Sequence, residues 1–213
     1  MSEVPDLKLF RKAVNTIPAL RDRDLVKVCY LLAARVSEVL LYASPYDMEH
    51  FKSRAYGQTI NYHIEEFEGQ KVLVIKMGVL KRAVKGLKAD DTTFYKSVAL
   101  PCDPQYEPWC LDLLKRIAKH KTLAFTVSRH TAWRLVRKNL SPLDPKIHTH
   151  SLRHYRISHL LNEYGFDAED LVAYSGWSFK TMMGMKGMGA GQLDIYAHLA
   201  WKKYFPKLLK VIN

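Results

Sequence analysis

The sequence predicts a mostly helical α+β domain with a small three-stranded antiparallel sheet. Three observations carry that expectation. Apolar residues Leu25, Val28, Cys29, Leu32, Val36, Val39 and Leu40 recur at the three-four spacing of one helical face. Two apolar, β-branched stretches, 59–67 and 71–77, flank Glu68-Gly69-Gln70, which has the length and the glycine of a hairpin turn. Later stretches of helical character are separated by Pro142, Pro145, Gly165, Gly176 and Pro206.

In chain order, residues 22–41 are expected to form one central, well-buried helix. The hairpin follows, and a third strand is expected at 96–100, ended by Pro101. Between the last two strands, residues 78–93 carry Lys81, Arg82, Lys85 and Lys88 and then Asp90-Asp91, too polar for a core, and read as a long, mobile hairpin tip. Short helices are expected at 107–119, 129–139, 150–163, 167–174, 192–200 and 202–211. Four of the ten glycines fall in the Gly-Met stretch 182–191, which reads as a flexible segment. The basic, amphipathic tail 201–213 fits either docking on a partner subunit or packing back on its own core.

A chain of 213 residues can bury about 70% of the surface its unfolded form exposes and needs neither disulfides nor a structural metal to fold. Cys29, Cys102 and Cys110 are an odd number without CxxC spacing, as in a reduced intracellular protein, and no zinc ribbon can be built from them. Residues 1–6 are acidic without an apolar core, and the longest apolar run, 28–34, stops at Arg35. Neither a signal peptide nor a membrane-spanning helix is expected, so the chain is placed in the cytoplasm, associated with the nucleoid or wherever its DNA lies, and not secreted.

The formal charge of +12 points to a polyanionic partner. Residues 111–160 hold eleven Lys and Arg against Asp112 and Asp144 alone, together with six of the nine histidines and several aromatics. That combination suits phosphate contact through charge and hydrogen bonds, with a merely solvated basic face as the plain alternative.

Four boxes stand out: Arg35-Val36-Ser37-Glu38, His150-Ser151-Leu152-Arg153-His154, Gly176-Trp177 and Ile195-Tyr196-Ala197-His198-Leu199. Their order and character resemble the catalytic domain of the tyrosine recombinases and phage-type integrases. There, an arginine box ends a central helix, an H-x-x-R box opens a later one, a Gly-His or Gly-Trp pair follows and a tyrosine closes the set. The likeness covers nearly the whole chain, and its specificity lies in the four linked boxes with a three-stranded element between the first two. It implies DNA recombination or DNA integration on duplex DNA, as in mobile elements, with no cofactor and no small-molecule substrate, and with self-association on the DNA. It also implies residues 22–213 as the catalytic domain behind a short N-terminal segment, 1–21. Only thirty-four residues precede Arg35, so the helical core-binding domain usual in the family is not expected, as in an excised fragment or a minimal recombinase.

The residues themselves support this assignment. Arg35 interrupts an apolar stretch, where a guanidinium is costly without an anion; an ion pair with Glu38, three residues on, would meet the same need. His150 and Arg153 share a helix start, where side chains and free N–H groups can converge on one phosphate. Arg35 and Arg153 could then hold its nonbridging oxygens in fork geometry. Fixed donors of this kind stabilise charge building on a pentacoordinate phosphorus, and no metal or ATP is then required. Tyr196 is the candidate nucleophile; with a pKa of about 10 it needs a base or strong positive potential, which His150 and the arginines could supply.

In the family the tyrosine takes the 3′ phosphate, and a lysine of the strand-two to strand-three hairpin protonates the leaving 5′ oxygen. Lys76 is preferred for that role, narrowly over Lys81, with Lys85 a third option. Trp177 can donate its ring N–H to the phosphate or simply pack in the core. The interval from Trp177 to Tyr196 is longer than usual, which leaves the tyrosine to act in its own protomer or a neighbour's. A metal cluster of His148, His150 and His154 lacks any nearby acidic ligand. A type IB topoisomerase with the same residues, a histidine-metal phosphodiesterase and a DNA-binding module that has lost its chemistry are the rival functions.

Overall fold

The computed structural model describes residues 4–41, 59–79, 95–176 and 200–212. Among these, seven α-helices accompany one three-stranded antiparallel sheet, so the mostly helical α+β class is as the sequence predicts. Of the predicted hairpin tip 78–93 only Gly78, which belongs to the second strand, and the buried Val79 are described, and nearly all of the 192–200 helix and the whole Gly-Met stretch lie outside the described residues.

Helix α1 (Leu7–Asn15) begins at Asp6, whose carboxylate accepts from the backbone N–H groups of Lys8 at 2.8 Å and Leu9 at 3.1 Å. Its Leu7, Phe10 and Val14 enter the same core as the rest of the chain. Helix α1, within the expected N-terminal segment 1–21, thus packs on the common core, because a helix with this apolar face has to bury it.

Helix α2 (Leu20–Leu31) stops ten residues before the predicted end at Leu41. Ala33 adopts φ +42°, its N–H donates to the Tyr30 carbonyl at 2.9 Å, and the Ala34 N–H reaches the Cys29 carbonyl at 3.0 Å. This is the paired bonding of a Schellman cap with alanine in the position that favours glycine. The apolar periodicity continues past the break because the apolar residues of 32–40 stay buried in a different backbone form. Val36–Val39 make one 3-10 turn, and Leu40 then bridges Phe125.

Strands β1 (Asn61–Phe67) and β2 (Gln70–Gly78) pair with Phe67 opposite Gln70, and β2 pairs with β3 (Tyr95–Pro101). Only Glu68 and Gly69 form the turn, at φ +51° and +74°, the two positive values a tight two-residue hairpin requires. The unbroken apolar run Val72–Ile75 makes β2 the central, buried strand, whereas β1 is largely exposed.

Helices α3 (Cys110–His120), α4 (Arg129–Leu140), α5 (Thr149–Asn162), α6 (Ala168–Ser175) and α7 (Ala200–Leu208) complete the fold. Trp201, Tyr204, Phe205 and Leu208 of α7 are buried. Lys203 pairs with Glu169, and Lys207 with Asp170 and, at 3.1 Å, Asp167. The tail thus packs back on its own core. The Tyr204 hydroxyl accepts from the Ala99 N–H at 3.1 Å and donates to the Ser97 carbonyl at 3.2 Å, which fastens α7 to β3.

Candidate phosphate-binding site

The broken end of α2 builds the site. The last carbonyls of a helix lack partners in their own helix and carry the negative end of its dipole, so they attract donors and cations. Here three in succession are taken by side chains from three other elements. The Tyr174 hydroxyl of α6 donates to the Leu31 carbonyl. The Lys96 ammonium of β3 donates to the Leu32 carbonyl and, at 3.3 Å, to that of Ala33. Arg153 of α5 gives one Nη to the Ala33 carbonyl and the other to the Ser175 carbonyl at 3.1 Å. Backbone carbonyls fix these cations without cancelling their charge.

Arg35 and Glu38 complete the cluster. The Arg35 Nη1 lies 3.0 Å from one Glu38 carboxylate oxygen, and the Arg35 backbone N–H donates to the other at 2.8 Å. The ion pair weighed against a phosphate role is therefore present. Arg35 nevertheless keeps 26% of its side chain in solvent, against none for Glu38, so part of its guanidinium is within reach of an anion.

Burial first, and then the neighbouring Arg153 and Arg35, bring the Lys96 ammonium down to about 7, against the pull of Glu38. Burial likewise brings Arg153 down to about 10, with Glu38 opposing and Arg35 reinforcing the shift. Among the described residues, three cations thus face one carboxylate in a water-poor region. A surplus of positive charge held in that way is costly alone and is relieved by a bound anion.

His150 sits in the first turn of α5, which His148 caps: its Nδ1 accepts from the Ser151 N–H at 3.1 Å while Ser151 Oγ accepts from the His148 N–H at 3.2 Å. The His150 ring meets His154 edge-on at 4.6 Å between centroids. Partial burial, then His154, Arg153 and Arg35, push the His150 imidazole down to about 4. It is neutral at pH 7, a poor base and able to donate one ring N–H.

Of the residues singled out in the sequence, Arg35, His150 and Arg153 come together; Lys81, Lys85, Trp177 and Tyr196 lie outside the described residues. Lys76 does not join them. It pairs across the ladder with Ser97, so it stands on the opposite face of the sheet from Lys96, with its ammonium 4.9 Å from the Tyr95 ring. The lysine brought to the cluster is Lys96, which sequence reasoning passed over. Its signal was the alternation Lys96, Val98, Leu100, which puts a lysine on the inward face of a buried strand.

Gly176 ends α6 at φ +70°. A Cβ there would lie 2.8 Å from Val79 Cγ2 and 3.2 and 3.3 Å from Lys96 Cδ and Cβ. Gly176→Ala is expected to destabilise the fold by about 2 kcal/mol through backbone strain and overpacking, read as a lower urea midpoint. It should also displace the Lys96 stem.

A second feature faces solvent on α4. Trp133, 43% exposed, stacks on His130 with ring centroids 6.1 Å apart and carries the Arg137 guanidinium 5.7 Å from its ring. With Arg134 and Lys138 it lines a shallow basic groove. Compared with family models, curated proteins and solved structures, the chain matches none.

Proposed function

We propose that the protein is a site-specific DNA recombinase or integrase that cleaves and rejoins duplex DNA through a covalent 3′-phosphotyrosine, without metal or ATP. The observation that carries this reading is the gathering of Arg35, Lys96 and Arg153 around the carboxylate of Glu38, two of these cations being held on the end of α2. Such a cluster suits a phosphodiester whose charge grows as the phosphorus becomes pentacoordinate. Arg35 and Arg153 take the nonbridging oxygens, and His150 donates to one of them. The Tyr196 oxygen attacks the phosphorus while its phenolic proton passes to water, the bond to the 5′ oxygen breaks, and that oxygen takes a proton from the Lys96 ammonium. Reversal by a 5′ hydroxyl rejoins the strand, since the phosphotyrosine keeps the energy of the diester. The basic groove on α4 supports the same reading as a place for neighbouring phosphates and bases.

The test is incubation with nicked duplexes of randomised central sequence, followed by denaturing electrophoresis. A protein–DNA adduct that survives chelator and is lost in Tyr196→Phe is expected. Binding without any adduct from the wild type overturns the reading.

A further inference from the structure

Behind the cation cluster lies a second buried group of charges that the proposed chemistry does not use. Arg156 is fully buried. Its Nη1 lies 3.3 Å from one Glu107 oxygen, and the other Glu107 oxygen lies 3.3 Å from Arg11 of α1. The rest of the Arg156 guanidinium is directed at Tyr174: Nε and Nη2 donate to its hydroxyl at 3.1 and 2.9 Å. That hydroxyl spends its own proton on the Leu31 carbonyl. The next two carbonyls along the chain are those that hold Lys96 and Arg153.

We propose that Arg156 and Tyr174 are positioning residues that fix the end of α2 on which Lys96 and Arg153 are held. A hydroxyl that accepts two bonds from a guanidinium is polarised and becomes a stronger donor. It pins Leu31, two residues before Ala33 with its strained φ of +42°. Without that pin the Leu32 and Ala33 peptides are free to turn away from the ammonium, which stays buried but loses its acceptors. Among the described residues Lys96 then faces Arg153 and Arg35 with Glu38 opposing them, and its protonated form becomes harder to keep. The effect on Lys96 holds whatever the protein acts on; the effect on DNA cleavage rests on the recombinase reading.

The test uses the full chain labelled with ¹³C at lysine Cε, with the Lys96 signal identified by its loss in Lys96→Met. In Tyr174→Phe the Lys96 titration midpoint is expected to fall by about 0.5 unit or more, a sizeable change in the local balance of charge and acceptors. Arg156→Lys, which keeps the buried charge, should give a smaller fall of the same sign and serves if Tyr174→Phe does not fold. The control is Tyr30→Phe. It removes another buried hydroxyl of the same group, bonded to His159 Nδ1 at 2.8 Å, that does not touch the three carbonyls. An unmoved midpoint in both Tyr174→Phe and Arg156→Lys, a rise in either, or an equal fall in Tyr30→Phe overturns the proposal.

In the adduct assay at pH 7, Tyr174→Phe should be about 10-fold slower, within the range a misplaced proton donor costs, and Tyr30→Phe unchanged. If the wild type forms no adduct, the recombinase reading falls and the titration alone decides the positioning role.

Discussion

Lys96→Met is expected to slow formation of the covalent DNA adduct by about 10³-fold, the usual worth of a positioned general acid. The loss should vanish on a substrate whose 5′ leaving oxygen is replaced by sulfur, because a thiolate departs without a proton. A variant equally slow on both substrates would take the proton-donor role from Lys96 and leave it only a share in phosphate binding. The pH dependence follows from the same residue. With Lys96 at about 7 in the free protein, adduct formation at limiting DNA should fall as pH rises through 7, and Lys96→Met should lose that limb. Stability moves the other way. The folded value lies below the ordinary lysine value of 10.5, so between about 7 and 10.5 the unfolded chain binds more protons. The wild type therefore gains stability across that window as pH rises. Chemical denaturation at pH 7 and pH 9.5 should show this gain in the wild type and a smaller one in Lys96→Met.

Glu107→Ala is expected to cost about 3–5 kcal/mol, the penalty for leaving buried charge uncompensated. Glu107 is 2% exposed and serves Arg11 and Arg156 at once, so its loss strands one fully buried guanidinium and loosens another. The urea midpoint should drop steeply. Adding Arg156→Met should recover part of the loss, since removing both partners costs less than removing one. A single variant within about 1 kcal/mol of wild type would mean that the group contributes little to the fold, given the modest median of ion pairs.

The strands and most helices were legible because their signals are local. Val72 to Ile75 had to be a buried strand, Glu68-Gly69 had to turn, and the breaks at Pro142, Pro145, Gly165 and Gly176 fell between helices, whereas Pro206, expected as a break, lies inside α7. The end of α2 was not legible: residues 32–40 keep apolar spacing, and a Schellman cap without glycine leaves no mark in the sequence. Arg35, His150 and Arg153 were legible as boxes, although the carbonyls that hold Arg153 depend on that unseen cap. Lys76 was preferred because it directly follows an apolar strand, but the pleat turns it to the wrong face. The pairing of Arg156 with Glu107 joins residues forty-nine apart, which no local pattern encodes.

The attachment of Tyr204 to β3 also bears on how the protein behaves in a crowded solution. Ser97 and Ala99 are two residues apart and present their backbone groups on the side of β3 away from β2, where a strand from another molecule would otherwise add. A single phenol satisfies one acceptor and one donor of that row and brings a helix over it. Open strand edges template aggregation, and covering them is one of the ways proteins avoid it. Tyr204 thus closes this edge of the sheet to intermolecular growth, so that a protein that gathers in several copies on a nucleic acid would meet its neighbours through other surfaces.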